Sequence, residues 1–454
     1  MSSQYDADAL HRTVKRLIDS GQAKSFEEAH EIAEKYQLQL ELTAPADFHE
    51  QVAALAVVML GRRAFLGGVS VSGCGDVVLH PSLGSNQSLA SALCEAGAII
   101  ADAAPGRPTI AIGSVRTRIA PFHVRLLMSG WRAGTAPADE RHSIDDENGG
   151  YVMPLTAVAA AALAVSQAFQ HVADTVPTGF EPAGISLWAP AQANWESREC
   201  DGPVLQVLPS STWLLGLGHL GQAFAWCLSL LPYPKDAREP PHVLLQDVDR
   251  VGVSTESTSV LTAKQDKGRR KTRVVAEWLE KHGFSTAIVE RYFDGETRIG
   301  QGEPSLLFCG VDNPEARRAL ESAGVSFIIE AGLGSRHDDF QSVRVHTFPA
   351  SRTTAQTWPH KPKKAPVIEG LYADLLEKGE LGRCGVVELA GKAVGAAFVG
   401  AFAAALCVSE ALRVLHGSAP SEVLDADMFA LEFRSVVINE HDFAALNPGF
   451  IAVR

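Results

Sequence analysis

The sequence predicts an α/β protein with mostly parallel sheet, organised as two α/β units behind a short helical N-terminal segment. Three observations carry this. Residues 212–221 read Thr-Trp-Leu-Leu-Gly-Leu-Gly-His-Leu-Gly, an apolar strand running into a glycine turn and a helix. On both sides of it, short β-rich runs alternate with helical stretches at the spacing of βα units. The chain has 454 residues, enough for two or more compact units that each bury a core.

Within residues 1–45, Asp8–Ser20 places Leu10, Val14 and Leu17 on one helical stripe, and Ser25-Phe26-Glu27-Glu28 reads as a capping box opening a second helix to Tyr36. A small helical pair packed on the body is expected. Residues 46–202 form the first α/β unit: helix Glu50–Leu60, strand Val69–Val71, helix Ser88–Ala96, strands Thr109–Val115 and His123–Trp131, and a long helix Pro154–Val172. This unit has Gly67-Gly68 and Gly73-Cys74-Gly75 but no Gly-x-Gly-x-x-Gly between a strand and a helix, so no nucleotide site is expected there. Residues 173–209, rich in proline and polar groups, read as the connection.

The second unit covers residues 203–454. Strand, glycine turn and helix occupy Thr212–Leu231, followed by strand Val243–Leu245, helix Lys271–His282, strands Ile288–Arg291 and Ser305–Phe308, helix Asn313–Gly324 and strand Ser326–Glu330. A crossover spans 349–384, and its basic, proline-containing opening, Pro349–Pro366, reads as mobile. A long Ala/Gly helix and strand-like Ala430–Ile438 close the chain.

Bulk properties exclude several classes. A net charge of −13 gives no basic face for nucleic acid. The cysteines stand singly, at 74, 94, 200, 227, 309, 384 and 407, with no Cys-x-x-Cys pair to build a zinc knuckle. An odd, unpaired set fits a reducing cytoplasm. No basic start followed by an apolar core marks a signal peptide. The apolar stretches Ala157–Val165 and Ala393–Val408 are shorter than the ~20 residues of a membrane span, so buried helices and no membrane partner are expected.

The chemistry concentrates after residue 212. Gly216, Gly218 and Gly221 let a backbone approach phosphates at a helix start. Asp247 ends the next strand, where a carboxylate can accept ribose hydroxyls, and Asp249 follows it in an Asp-x-Asp pair. Lys271 opens a helix three residues after Gly268 and can neutralise phosphate charge. Asp312 follows the apolar strand Leu306–Phe308, where open α/β sheets place ligands, and can hold Mg²⁺. Each has a plainer alternative: glycine for packing, a solvated lysine in a charge run, an aspartate as helix cap. Four parts in order favour ATP chemistry over an NAD-dependent oxidoreductase, which needs only the first two.

This order, Gly-x-Gly-x-x-Gly, Asp-x-Asp, Gly-x-x-Lys and Cys-x-x-Asp-Asn with Arg317 just beyond, resembles the ubiquitin-activating enzyme superfamily, including ThiF- and MoeB-like adenylyltransferases. The resemblance covers about residues 205–440 and implies a Rossmann-like adenylation domain, with ATP phosphates on Gly216, Gly218, Gly221 and Lys271, the ribose on Asp247 and Mg²⁺ on Asp312. It departs from the family where Asn and Arg-Gln usually stand: Thr255, Thr258 and Ser259 occupy those places. Arg250, Arg269 or Arg270, or Arg62 or Arg63 from the first unit, are the candidates to replace the missing arginine.

Cys384, in Leu-Gly-Arg-Cys-Gly-Val, falls where several family members carry a reactive cysteine; the alternative is a small apolar residue packing under the loop. Cys309 and Cys407 read as core, and Cys200 as a loop residue. A motif-poor half before a motif-bearing half resembles the inactive and active adenylation domains of ubiquitin-type activators, and the layout is most similar to those of bacterial ubiquitin-like conjugation operons, some linked to antiviral defence. Implied partners are a ubiquitin-like protein with a C-terminal glycine and a conjugating enzyme; a homodimer stays open. So do adenylation for sulfur transfer or peptide modification without conjugation, and a non-catalytic scaffold of the same fold.

Overall fold

The computed structural model describes residues 10–43, 47–84, 87–114, 118–140, 142–144, 150–360, 366–443 and 446–453. Helices α1 (Arg12–Asp19) and α2 (Phe26–Ala33) open it, then β1 (Leu38–Leu42), α3 (Phe48–Gly61), β2 (Val69–Ser72), α4 (Leu89–Glu95), β3 (Ala98–Ile100), β4 (Thr109–Ile112), β5 (His123–Ser129), β6 (Arg132–Pro137), α5 (Pro154–Val172) and β7 (Ala183–Ser186). The second half runs β8 (Val207–Pro209), β9 (Ser211–Leu215), α6 (His219–Ser229), β10 (His242–Gln246), α7 (Lys271–Lys281), β11 (Ser285–Val289), β12 (Leu306–Cys309), α8 (Pro314–Arg318), β13 (Phe327–Leu333) and β14 (Ser342–Phe348). Short helices α9 (Thr354–Thr357), α10 (Leu371–Glu377) and α11 (Arg383–Gly391) lead to α12 (Ala397–Leu415), β15 (Ser421–Asp427), β16 (Ser435–Ile438) and β17 (Phe450–Ala452).

Two sheets share one plan. The first has strand order β3-β2-β1-β4-β5-β6-β7 and the second β11-β10-β9-β12-β13-β14-β15-β16. In each, the first five strands in order are parallel and the rest antiparallel. The chain therefore reverses direction across the sheet between β9 and β12, leaving a crevice at their carboxyl ends.

The α/β class, the mostly parallel sheet and the Rossmann-like layout are as expected; several details differ, among them the expected helix Asn313–Gly324, whose α-helical part is only Pro314–Arg318, and the expected strand Ala430–Ile438, which pairs only over Ser435–Ile438. Leu38–Leu42 is a strand inside the segment expected to be helical: Leu38, Leu40 and Leu42 are buried, and the strand is paired on both sides by β2 and β4. Its five residues alternate leucine with polar side chains, the period-2 pattern of a strand. The expected connection at 173–209 contains β7, which completes the first sheet. The crossover carries α9 and α10 and runs into α11; residues 361–365 of its basic opening, Asp8 in the first helix and Val115 in the fourth strand lie outside the described residues.

The halves meet through helices. Alanine-rich α5 and α12 pack on each other, flanked by α3 and α6. Small side chains allow two backbones to approach closely, and the apolar window of each long helix is 89% buried. Phe169 of α5 pins the seam, its ring 6.0 Å from Tyr36 and 6.2 Å from Phe65 on one side, 6.1 Å from Phe340 and 5.8 Å from Phe398 on the other.

The N-terminal helices dock on the crossover. Leu10, Val14, Leu17 and Ile18 form a separate apolar cluster with Tyr372, Leu375, Val386 and Leu389 of α10 and α11. Beside it, the Tyr372 hydroxyl donates to Asp19 Oδ1 at 2.7 Å, and Lys15 Nζ donates to the same oxygen at 2.7 Å. Ser25 caps α2 as its sequence suggests, accepting from Glu28 N at 3.1 Å; the Glu28 carboxylate reaches Lys24 N at 2.6 Å in place of the cap residue's own N–H.

Candidate functional site

A cleft of about 700 Å³ opens at the carboxyl ends of β9, β10, β12 and β13. Gly216, Gly218, Asp247, Asp249, Lys271 and Asp312 all line it, as do Thr255, Thr258, Ser259, Arg12, Arg291 and Arg317. Residues as far apart in the sequence as Arg12 and Arg317 thus line one cleft.

The three glycines divide the work. Gly216 turns with φ +80°, and a Cβ there would come within 2.8 Å of Val311 Cγ1. At Gly221 a Cβ would lie 1.8 Å from Gly216 O, so this residue permits α6 to sit tight on the turn and lies outside the cleft lining. Gly221 is therefore a packing glycine, which corrects its expected place against phosphates. At Gly218, the cap of α6, a Cβ would meet nothing within 4 Å. No packing requires glycine at that place, and the residue lines the cleft.

Asp247 braces the turn: its Oδ2 accepts from Leu217 N at 2.6 Å and its Oδ1 from Asp249 N at 2.7 Å. Lys271 opens α7, its Nζ bonded to Asp249 Oδ2 at 2.8 Å. Asp312 is exposed in the cleft, and the cap of α8 is its neighbour, since Asn313 Oδ1 accepts from Glu315 N at 2.9 Å. The helix-cap alternative for Asp312 is thereby removed. Among the described residues no three His, Cys, Asp or Glu side chains group as a metal cage. A magnesium ion carried with phosphates needs only one or two carboxylates, a demand that Asp312 suits.

None of the expected replacement arginines enters the cleft. Arg63 is buried and spends its guanidinium on the carbonyls of Glu256 (2.9 Å), Met59 (2.6 Å), Val260 (2.9 Å) and Thr262 (3.0 Å). Arg62 pairs with Glu256 at 3.3 Å. Arg269 holds Asp266 at 2.8 Å and also Glu277; Arg270 bonds Val248 O, and Arg250 reaches Gly268 O at 2.7 Å. Instead Arg12 arrives from the first residue of α1. Its backbone N–H donates to Ser257 Oγ at 3.3 Å and its Nη1 to Ala393 O at 3.3 Å, so it bridges the loop carrying Thr255, Thr258 and Ser259 to the turn between α11 and α12. Arg12 and the short hydroxyl side chains of Thr255, Thr258 and Ser259 line the same cleft. Sequence reading missed it because no local motif marks Arg12.

His219 was also missed. It begins α6 half-buried at the cleft wall and packs against Gly400 of α12, where a Cβ would approach Nε2 to 2.3 Å. Burial, with Arg12 nearby, drops its pKa to about 4 against the bonds from Ala396 and Ala397 that raise it. The unfolded chain binds this proton near pH 6.5 and the folded chain near 4, so its contribution to stability is intact above 6.5 and is lost as pH falls toward 4. The loss approaches about 3 kcal/mol below that range. Denaturant melts of His219→Gln between pH 7 and 4 are expected to flatten this dependence; an unchanged slope contradicts it.

Cys384 is exposed in the first turn of α11 and does not line the cleft, whereas Gly391, Lys392, Ala393, Val394 and Gly395 just past the other end of that helix do. Seven residues of helix separate it from Gly391, about 10 Å of axial rise. Cys309 and Cys407 are buried core residues; burial pushes the Cys309 thiol up to about 12 and raises Cys407 as well. Cys200, expected in a loop, is buried too, with Sγ donating to Asn194 O at 3.2 Å.

Sequence comparison places this architecture. A profile described as the BilD N-terminal domain matches residues 36–187, and one described as the BilD C-terminal domain matches residues 208–418. A bacterial E1-like protein, BilD, from Collimonas sp. (strain OK412) is 40% identical over 444 residues, covering 95% of this chain and 94% of that one. The chain belongs to the BilD family of bacterial E1-like proteins. The first match covers the first sheet and the second covers β9 to β14 of the second sheet, with every cleft residue from Leu215 onward. Among solved structures, E. coli MccB with succinimide aligns at 14% identity and a TM-score of 0.35 over 52% of this chain and 64% of that one. E. coli MccB with ATP aligns at 13% identity and the same TM-score, over 52% and 64%. The alignment thus spans less than two thirds of MccB.

Proposed function

We propose that this E1-like chain uses ATP to activate the C-terminal glycine carboxylate of a ubiquitin-like protein and then holds the acyl group on Cys384 as a thioester. The observation that carries the first step is the convergence of Gly218, Asp247, Lys271 and Asp312 in one cleft at the switch point of the sheet. A carboxylate oxygen attacks the α phosphorus, the bond to the bridging oxygen breaks, and pyrophosphate leaves; an acyl adenylate remains. The turn and the first N–H groups of α6 receive phosphate, Asp247 accepts the ribose hydroxyls, and Lys271 exchanges Asp249 for phosphate oxygens. Mg²⁺ on Asp312 would offset charge on the leaving group. The first half, without the glycine motif, serves as the inactive adenylation-like partner and supports α1, which delivers Arg12.

Arg12 takes the place of the family arginine in this scheme. Arg12→Ala is expected to lower ATP–pyrophosphate exchange on the order of 10²-fold, with Arg62→Ala leaving it within about twofold. Equal rates in wild type and Arg12→Ala contradict the assignment.

In the second step the thiolate of Cys384 attacks the acyl carbonyl, AMP departs, and the thiol proton passes to solvent; a conjugating enzyme would receive the acyl group next. The separation of Cys384 from the cleft favours one alternative, adenylation of a carrier or peptide without capture. ATP–pyrophosphate exchange dependent on a ubiquitin-like protein tests the first step. A DTT-sensitive adduct lost in Cys384→Ala supports the second, and full retention of the adduct in that variant refutes it.

A further inference from the structure

We propose that Glu330 is a positioning residue that fixes the Arg317 guanidinium at the cleft wall, and that Trp358 ties that position to the opening of the crossover. Resting on the activation reading above, this concerns residues that the reading leaves unused. Glu330 sits within β13 with a side chain 1% exposed. Arg317 Nε lies 3.0 Å from its Oε1 and His346 Nδ1 3.0 Å from its Oε2. A charge this deep needs compensation: Oε1 accepts no hydrogen bond and faces the Arg317 guanidinium as an ion pair, while Oε2 pairs with His346. Arg317, 18% exposed, also donates from Nε to Val311 O at 2.9 Å and from Nη2 to Ala331 O at 3.4 Å. Those bonds hold the inner edge of the fork and leave Nη1 outside them. A planar guanidinium fixed on one edge is a ready receptor for an oxyanion on the other.

Its face is covered as well. The Trp358 ring lies 5.8 Å from Arg317 Cζ, 5.2 Å from the His346 ring and 5.6 Å from Phe348. The adjacent Arg318 donates from Nη1 to Trp358 O at 2.7 Å, while Thr354 Oγ1 donates to Arg318 O at 2.9 Å. Consecutive arginines of α8 therefore grip the opening of the crossover, and Gly391–Gly395, from the end of α11 onward, line the same cleft. Unseating the crossover would tilt Arg317. The ligand class is an oxyanion, either a phosphate oxygen of the triphosphate or an oxygen of the incoming acyl group.

The test is calorimetric titration of MgATP and of glycylglycyl sulfamoyl adenosine, a stable acyl-adenylate mimic without pyrophosphate, into wild type, Glu330→Gln, Trp358→Ala and Trp358→Phe. Glu330→Gln and Trp358→Ala are expected to weaken at least one ligand about tenfold, and Trp358→Phe to restore wild-type affinity. Loss confined to MgATP assigns Arg317 to the triphosphate; loss of the mimic, alone or with MgATP, assigns it to the acyl side. Unchanged affinity for both ligands in a folded Glu330→Gln overturns the proposal. Should that variant not fold, unchanged affinities in Trp358→Ala do the same. A wild type that binds neither ligand overturns the activation reading itself and this inference with it.

Discussion

Lys271→Ala is expected to lower ATP–pyrophosphate exchange on the order of 10²- to 10³-fold while the protein stays folded. The two halves of that expectation come from different facts. Lys271 Nζ lies 2.8 Å from Asp249, whose side chain is 62% exposed, and an ion pair so open to water contributes little to the fold. Within the cleft, where phosphate charge would concentrate, the same ammonium acts at close range. A solvated lysine in a charge run, the plainer reading of its sequence context, would give a change within about twofold. Asp312→Ala, exposed and free of the helix-cap role that Asn313 fills, is expected to move in the same direction. Exchange rates and a thermal melt of each variant decide between the readings.

Gly221→Ala is expected to be the most damaging substitution among the three glycines of the turn. A methyl at that position would sit 1.8 Å from Gly216 O, a backbone atom that cannot step aside without opening the strand–turn–helix joint. Overpacking of this kind destabilises by about 1–3 kcal/mol, occasionally more. Gly218→Ala provides the contrast: with no atom within 4 Å of the added carbon, it should lower the melt far less than Gly221→Ala and weaken nucleotide binding. Urea melts paired with nucleotide titration measure both. Equal melts for the two variants contradict the division of labour among the glycines.

What the sequence revealed depended on how local the signal was. The strand into Gly216, the Asp-x-Asp after β10, Lys271 at the head of α7 and Asp312 after β12 each stand beside the element that positions them, so their order alone predicted a shared cleft. Arg12 could not be read that way. It reaches the site through Ser257 and Ala393, contacts made across most of the chain, and nothing within α1 marks its charge as different from that of Lys15 or Arg16. The same limit applies to the amphipathic stripe of α1: periodicity showed that Val14 and Leu17 face something, and only the fold shows that it is Tyr372 and Val386 of the crossover. At β1 the strand pattern was present in Leu-Gln-Leu-Glu-Leu, but it follows directly on a helical stretch and is short. Cys384 was placed correctly before the long helix, yet its distance from the cleft depends on the length of α11, which the proline- and glycine-bearing surroundings did not disclose.

A crystal of the protein grown with magnesium and a non-hydrolysable ATP analogue tests the central claim most directly. The triphosphate should lie between the Gly218 turn and Lys271, with Asp312 facing the metal, the ribose on Asp247 and Arg12 beside the phosphates. An analogue bound elsewhere, or in the cleft with Lys271 still on Asp249 and Asp312 turned away, would contradict it.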